Sequence, residues 1–507
     1  MPSEHRLHPL SFLFSLGRYV RSFLLPGLLL LFTAQRSQGG GWQAWAMLGI
    51  VPVALGSMFQ YLFLRYRYDR DEMVIRSGFV FRNERHIPYA RIQNIDATQN
   101  VLHRMLGVAD VRVETGGGQK PEATLSVLPL DAFEEMRRRV FEEKRRAALP
   151  VEGEATTPAP APESKVLLRL PVRELLLWGV IQNRGMLAVG AAFGVVWELG
   201  LADRLWWRFF GELGTGRGFF LNLASALLGV GTLSAGKVAL TVGAFAALLV
   251  VLRLVSMALA LVRLHGFVLT RAGEDLRSVY GLLTRYAATV PVRRIQSLTI
   301  VEGPLHRLFG RASVRVDTAG GSALPEEGSA RREWLVPLIR KDALPSLLRE
   351  VLPELDPEAV AWRPAHPRAF VRKLKSSVVA GAVVALAFVV MLRWWDLALL
   401  AVLVSWAFVH ARLYVAHLGH AVTDGAVLFR SGWLWRHTTI ARFSKLQAVT
   451  IHESPFDRRA GMAGVHVDTA GAAATSHRVY VPYLSLGDAR ALYASLSAQA
   501  ARTTFRW

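Results

Sequence analysis

The sequence predicts a multi-domain integral membrane protein. Six α-helical transmembrane spans form three hairpins, and each hairpin is followed by a small all-β domain with a closing helix. Three observations carry this reading. A stretch of about thirty residues occurs three times at fixed internal spacing, the mark of a repeat architecture. Long apolar runs precede each copy. Between runs and copies, apolar and polar residues alternate with period two, broken by turn residues, as antiparallel strands require.

The repeat is clearest in its middle copy: Pro291, Arg294-Ile295-Gln296, Leu305-His306-Arg307, Gly310 and Val314-Arg315-Val316-Asp317-Thr318. The first copy has Pro88, Arg91-Ile92-Gln93, Leu102-His103-Arg104, Gly107 and Val111-Arg112-Val113-Glu114-Thr115. The third has Lys445-Leu446-Gln447, Arg458, Gly461 and Val465-His466-Val467-Asp468-Thr469. Gln93, Gln296 and Gln447 each precede an arginine by 11 positions and an acid by 21.

The elements follow in order. Residues 1–64 hold two apolar runs, one interrupted by Arg18 and Arg21 and one from Trp42 to Leu64 without a charge. About 20 residues span a bilayer, and arginines near a helix end can snorkel to the headgroups. Residues 65–148 form the first β domain, closed by a charged helix that Asp131 caps. Residues 149–164, rich in Pro, Ala and Glu, read as an extended linker. Residues 165–264 form the second hairpin, with an outer-face insert at 200–237 whose Trp206-Trp207 and Phe209-Phe210 suit a membrane interface. The second β domain is 265–355, the third hairpin 356–414 and the third β domain 415–507. The flanks on the side of the β domains carry 13 basic residues against six in the opposite loops. Basic flanks stay in the cytoplasm, so both termini and all β domains are expected there.

Composition agrees. The 507 residues are 52% hydrophobic, yet the formal net charge is +21. That pairing suits cationic faces beside the anionic inner leaflet better than a soluble enzyme. Much of the basic excess lies at membrane flanks and no nucleic-acid reading motif is evident, so nucleic acid is not an expected partner. With no cysteine, disulfides, thiolate metal sites and cysteine nucleophiles are excluded.

The Pro-x-x-Arg-Ile-Gln stretches at 88–93 and 291–296, the Leu-His-Arg triplets and the Val-x-Val-acid-Thr strands, each after an apolar hairpin, resemble the membrane-tethered bacterial pleckstrin-homology (PH) family of the YdbS/YdbT type. Three modules look like its larger, YdbT-like members. The resemblance implies a sandwich of two near-orthogonal sheets capped by a C-terminal helix, and a smaller YdbS-like PH-domain membrane protein as partner. The third copy departs most, with Arg442 for the proline and Pro455-Phe456-Asp457 for the Leu-His pair.

No catalytic constellation, cofactor loop or metal set emerges. The acid-Thr-Gly strand ends read as turns. His410, His417 and His420 lack an acid at ligand spacing, and the glycine pairs open no helix. Strand alternation would bury Ile92 and Ile295 and turn Arg91, Gln93, Arg294 and Gln296 outward, with Lys445 and Gln447 as their counterparts: a candidate interaction surface. The alternative is structural: the glutamines tie strand to helix, and Arg104, Arg307 and Arg458 pair with Glu114, Asp317 and Asp468. Arg253 is a candidate intramembrane polar residue, with Glu198 a partner if the depths match. The expected function is a non-enzymatic scaffold at the cytoplasmic membrane; the alternative is a transport or export component.

Overall fold

The computed structural model describes residues 5–6, 64–78, 82–115, 123–148, 165–182, 190, 235–318, 334–392, 395–469 and 479–502. The first hairpin, the Pro-rich linker, Glu198 and residues 200–234 of the insert lie outside the described residues, and the end of the insert, 235–237, is already the start of a helix. The chain divides into two compact units. One holds 168–268 and 280–283; the other holds the rest.

In the larger unit, the first domain opens with β1 (His5–Arg6), β2 (Arg65–Tyr68), β3 (Glu72–Ser77) and β4 (Asn83–Pro88). After a 3₁₀ turn at Tyr89–Arg91 come β5 (Ile92–Gln99), the short helix α1 (Val101–Met105), β6 (Val108–Thr115), β7 (Ala123–Pro129) and the closing helix α2 (Leu130–Ala148). Tyr66, Met73, Ile75 and Ile87 from the first strands meet Ile95, Val111, Val113 and Leu125 from the second group, with Phe133, Met136 and Val140 of α2 packed on them. Alternation supplies the strand residues and an i, i+3, i+7 stripe supplies the helix. The later strands, the helical turn and the closing helix lie close to where the sequence suggested; Asp131, expected to cap the closing helix, lies instead in its first turn, since α2 begins at Leu130.

The second domain repeats the plan with β8 (Lys165–Arg169), β9 (Val268–Ala272), β10 (Asp275–Tyr280) and β11 (Arg285–Pro291), then β12 (Ile295–Glu302), β13 (Arg311–Thr318) and β14 (Val336–Arg340). Helices α3 (Val172–Ile181) and α4 (Ala235–Leu264) lie in sequence between β8 and β9; α5 (Pro304–Leu308) follows β12, and α6 (Leu344–Val351) closes the domain. The third domain has β15 (Arg363–Pro364), the helices α7 (Ala369–Leu392) and α8 (Trp395–His417), β16 (Gly419–Val422), β17 (Ala426–Ser431), β18 (Arg436–Arg442), β19 (Leu446–His452), the helical turn α9 (Pro455–Arg459), β20 (Met462–Thr469), β21 (Val479–Ser485) and α10 (Leu486–Arg502).

Two features were not legible in the sequence. First, the short strand before each hairpin segment lies beside the strand after it. β1 pairs β2 through Arg6 and Arg65, β15 pairs β16 through Arg363 and His420, and β8 lies beside β9. Residues 165–169 and 363–364, placed with the hairpins by sequence, therefore belong to the sheets. Second, the domains share sheets. The order β7-β6-β5-β11-β10-β9-β8 joins the first domain to the second, and β14-β13-β12-β18-β17-β16-β15 joins the second to the third. At the ends stand a four-stranded sheet bounded by β4 and a three-stranded sheet bounded by β19.

In the smaller unit, α3 packs on α4 with the two backbones in close approach. A Cβ added to Gly179 would sit 2.5 Å from Met257 Cα and 2.9 Å from the Ser256 carbonyl oxygen. Helix α4 contains a stretch, Ala246–Leu264, long and apolar enough to cross a membrane, the one such helix among the described residues by that measure. A shorter apolar helical stretch covers Ala401–His417.

Candidate functional site

The repeated glutamine has a backbone role. Strand register slips between Ile92 and Asn94, between Ile295 and Ser297, and between Leu446 and Ala448. Gln93, Gln296 and Gln447 are the extra residues of three equivalent β-bulges, each one residue after a 3₁₀ turn and its first strand residue. A bulge re-aims the chain and raises the local twist.

The environments of the six candidate surface residues differ by copy. Arg91 is exposed. Arg294 and Gln296 are 7% and 3% exposed, so the expectation that they face outward is corrected. They lead into β12, which pairs with β18 from Ser297 to Glu302 and is buried throughout Ile295–Val301. Gln296 Nε2 donates to the Arg294 carbonyl at 3.3 Å. Gln447 is exposed, because β19 has β20 alone beside it among the described strands. Lys445 is half-buried; burial and then Arg442 push its ammonium group down, against the attraction of Glu354.

The Leu-His-Arg triplet makes a helix cap. In α1, Asn100 Oδ1 accepts the His103 amide at 2.8 Å and His103 Nδ1 accepts the Asn100 amide at 3.4 Å. In α5, His306 Nδ1 accepts the Gly303 amide, and His306 Nε2 lies 2.9 Å from Ser313 Oγ. Ser313 Oγ donates to the Pro337 carbonyl, which leaves it to accept from Nε2–H and fixes a neutral histidine. Burial lowers His306 to about 4, against the attraction of Glu302. In α9 the same position is Asp457, which accepts the Ser454 amide at 3.2 Å. The apparent departure of the third copy is thus a change of capping group. A small or polar N-cap (Asn100, Gly303, Ser454) followed three residues later by His or Asp was the available signal. Gly107, Gly310 and Gly461 then turn the chain at φ +66°, +62° and +65°. Arg307 does not serve as the expected partner of Asp317: its Nη2 donates to the Leu434 carbonyl, while Asp317 accepts the Ser297 hydroxyl at 2.9 Å.

In the third domain these turns sit at the foot of the α7/α8 pair. Arg372 of α7 binds Asp457 Oδ1 through Nε at 2.9 Å and lies over the Phe456 ring at 5.1 Å. Burial raises the Asp457 carboxyl, but hydrogen bonds from Ser454 and Arg372 outweigh it and hold the group below its ordinary range. Trp433, in the β17–β18 turn, donates from Nε1 to His410 Nδ1 of α8 at 2.9 Å and packs beside Trp406. Around this foot Phe456, Trp435 and Trp406 are 62%, 57% and 56% exposed. Arg368, Lys375, Arg412, Arg458 and Arg459 are exposed beside them in sequence. Aromatic side chains and cations at the base of an apolar helix pair have the composition of a membrane–water interface. Along α7 and α8, Val379, Val383 and Val402 are more than 60% exposed, which suits lipid rather than water.

Arg253 of α4 donates through Nη1 to the Val180 carbonyl, and Ser256 Oγ donates to the Gln182 carbonyl at 2.8 Å. Both serve carbonyls left open at the C-terminal end of α3. Among the described residues no group of three or more His, Asp and Glu side chains could hold a metal.

Three tandem sandwiches of this kind, each with a capping helix, define a class. The chain matches the bacterial PH domain family over residues 13–144, 220–354 and 375–500, most of its length. It belongs to that family. It is similar to the UPF0699 transmembrane protein YdbT of Bacillus subtilis (strain 168), at 23% identity over 471 residues, which cover 90% of this chain and 91% of that protein.

Proposed function

We propose that the chain is a non-enzymatic scaffold of the bacterial cytoplasmic membrane, with six spans, both termini inside, and three PH-like domains held at the anionic inner leaflet. The observation that carries this is the pairing of β15 with β16 across the α7/α8 segment. Strands joined at both ends of a helix pair return the chain to one side, as an even number of crossings must. The same arrangement brackets 7–64 and 170–267, and the relative's name describes a transmembrane protein. Tethering raises the effective concentration of each domain for lipid or protein partners, of which a smaller YdbS-like PH-domain protein is the first expected. The transport reading would need polar side chains directed along a path, whereas Arg253 and Ser256 are engaged in helix packing.

The test is a mild-detergent purification of the tagged protein from native membranes with mass spectrometry of proteins and lipids, alongside tag accessibility in intact cells. A stoichiometric small membrane protein with accessible tags only after lysis supports the reading. Termini reached from outside, or a purified protein that turns over lipid or nucleotide, would overturn it.

A further inference from the structure

We propose that this protein assembles head to tail, strand β19 of one copy pairing with strand β4 of a second copy. The inference goes beyond the scaffold reading and stands without it. Within the chain the same joint is made twice. At the first joint Gln99, Thr98 and Ala97 oppose Arg285, Tyr286 and Ala287. At the second, Glu302, Val301 and Ile300 oppose Arg436, His437 and Thr438. Aligned on the repeated glutamines, these are the same register. The joint is therefore a property of the module, and the terminal domains each carry one half of it: β19 is the counterpart of β5 and β12, and β4 of β11 and β18.

Both halves are open among the described residues. β12, covered, is buried from Ile295 to Val301; in β19, Gln447, Ala448, Thr450 and His452 are exposed. β4 is exposed from Asn83 to His86, where β11 and β18 are largely covered. Val449 and Ile451 pack on the core of their own domain, and an edge strand of this kind without a Lys, Arg, Asp or Glu is a template for pairing. β4 carries Glu84, Arg85 and His86, so its edge differs in chemistry from that of β19.

The module's register also matches charge at the mouth of the joint. Glu302 faces Arg436 in the second joint and Gln99 faces Arg285 in the first. Carried to the free edges, it sets Glu453 opposite Arg82, both exposed. Opposite charges directly across a ladder stabilise the pairing, and the mixed β19–β4 joint is the arrangement that brings these two together. Because the two surfaces differ, the assembly is heterologous and extends beyond a dimer unless it closes as a ring.

The chain has no cysteine, so disulfide trapping is clean. Thr299 and Thr439 face each other in the second joint with hydroxyls 3.4 Å apart; their counterparts are Thr450 and Arg85. The full-length Thr450→Cys/Arg85→Cys variant, oxidised in native membranes, should give a reducible ladder of dimers and higher species. Each single variant should not. Thr299→Cys/Thr439→Cys, closing within one chain, is the positive control. Monomer alone from the 450/85 pair while the control closes would overturn the proposal. So would an equal ladder from Thr450→Cys/His86→Cys, whose second site points to the other face. A photo-crosslinker at 450 that captures a different protein instead of a second copy would overturn the choice of partner. These readouts concern the joint alone, so a failed pull-down and a failed ladder remain distinguishable.

Discussion

Mild acid should loosen the cap of the middle repeat and leave the third untouched. His306 is 5% exposed and neutral in the fold, and burial lowers it from 6.5 to about 4. In the unfolded chain it takes up a proton near 6.5, so between these values the unfolded state binds more protons. The stability it supports is fully present above about pH 6.5 and is lost as pH falls toward 4. The whole loss is on the order of 3 kcal/mol, and at pH 5 it is already about 2 kcal/mol, roughly a 30-fold rise in local opening. Asp457, its counterpart, is held below 3.8, so its contribution persists down to that pH and is lost only beneath it. The two caps thus respond in separate pH windows within one molecule. Amide exchange, corrected for the intrinsic pH dependence, should show residues 304–310 opening faster at pH 5 than at pH 7.5 relative to 455–461. His306→Gln keeps a donor near Ser313 but cannot titrate, and should abolish the difference. An unchanged pH slope in that variant, or no difference between the two turns, would refute the argument.

Four further outcomes are expected. Gly179→Ala forces Cβ against the Met257 backbone and should destabilise the α3/α4 pair by about 1–3 kcal/mol; Gly243→Ala, whose Cβ meets nothing within 4 Å, should not, as limited proteolysis in detergent would show. Gly310→Ala places a side chain at φ +62° in open space, so its cost is backbone alone, about 1–2 kcal/mol, and Gly310→Asn should cost less in a thermal-melt comparison. Arg372→Leu leaves the Asp457 carboxylate, 13% exposed, without its cation; a loss of about 2 kcal/mol, between surface and buried ion pairs, should appear as faster exchange in 454–461. Arg442→Pro, which restores the residue of the other copies, removes bonds to Glu354 and the Val292 carbonyl and should increase exchange along β18 rather than tighten it.

Much of this was readable from sequence because local patterns decide it. Period-two alternation located the strands, and the Phe133-Met136-Val140 stripe located the closing helix. What failed depended on neighbours far away in sequence. Arg294 and Gln296 look like Arg91 and Gln93 on paper. They are buried at the start of a strand whose partner, β18, lies some 140 residues further on, and no local pattern encodes that partner. Likewise Pro455-Phe456-Asp457 reads as a lost motif until hydrogen bonding shows Asp457 capping as His306 does. The two-residue strands β1 and β15 are too brief for periodicity to register, and β8, Lys-Val-Leu-Leu-Arg, does not alternate; the recurring arginine at 6, 169 and 363 was their trace.

The unit of sequence and the unit of sheet are therefore offset by half a domain. The repeat, as the chain writes it, runs from hairpin to closing helix. The sheet, as hydrogen bonds write it, runs from the second half of one domain to the first half of the next. An array coupled this way has stability from each repeat plus a term for each joint. Arg442 shows how the joint term is built: it belongs to the third domain by sequence, yet it reaches Glu354 and the Val292 carbonyl of the second. Thr289 likewise gives its amide to Asp96 across the first joint, at 3.4 Å. A lesion in the middle domain must then weaken two sheets and both neighbours, whereas a lesion at β4 or β19 weakens one. That asymmetry predicts that core substitutions in β12, such as Leu298→Ala, raise exchange in β18 of the third domain as well as in their own strand, and that Val449→Ala in β19 leaves the first two domains of its own chain with exchange unchanged outside β4.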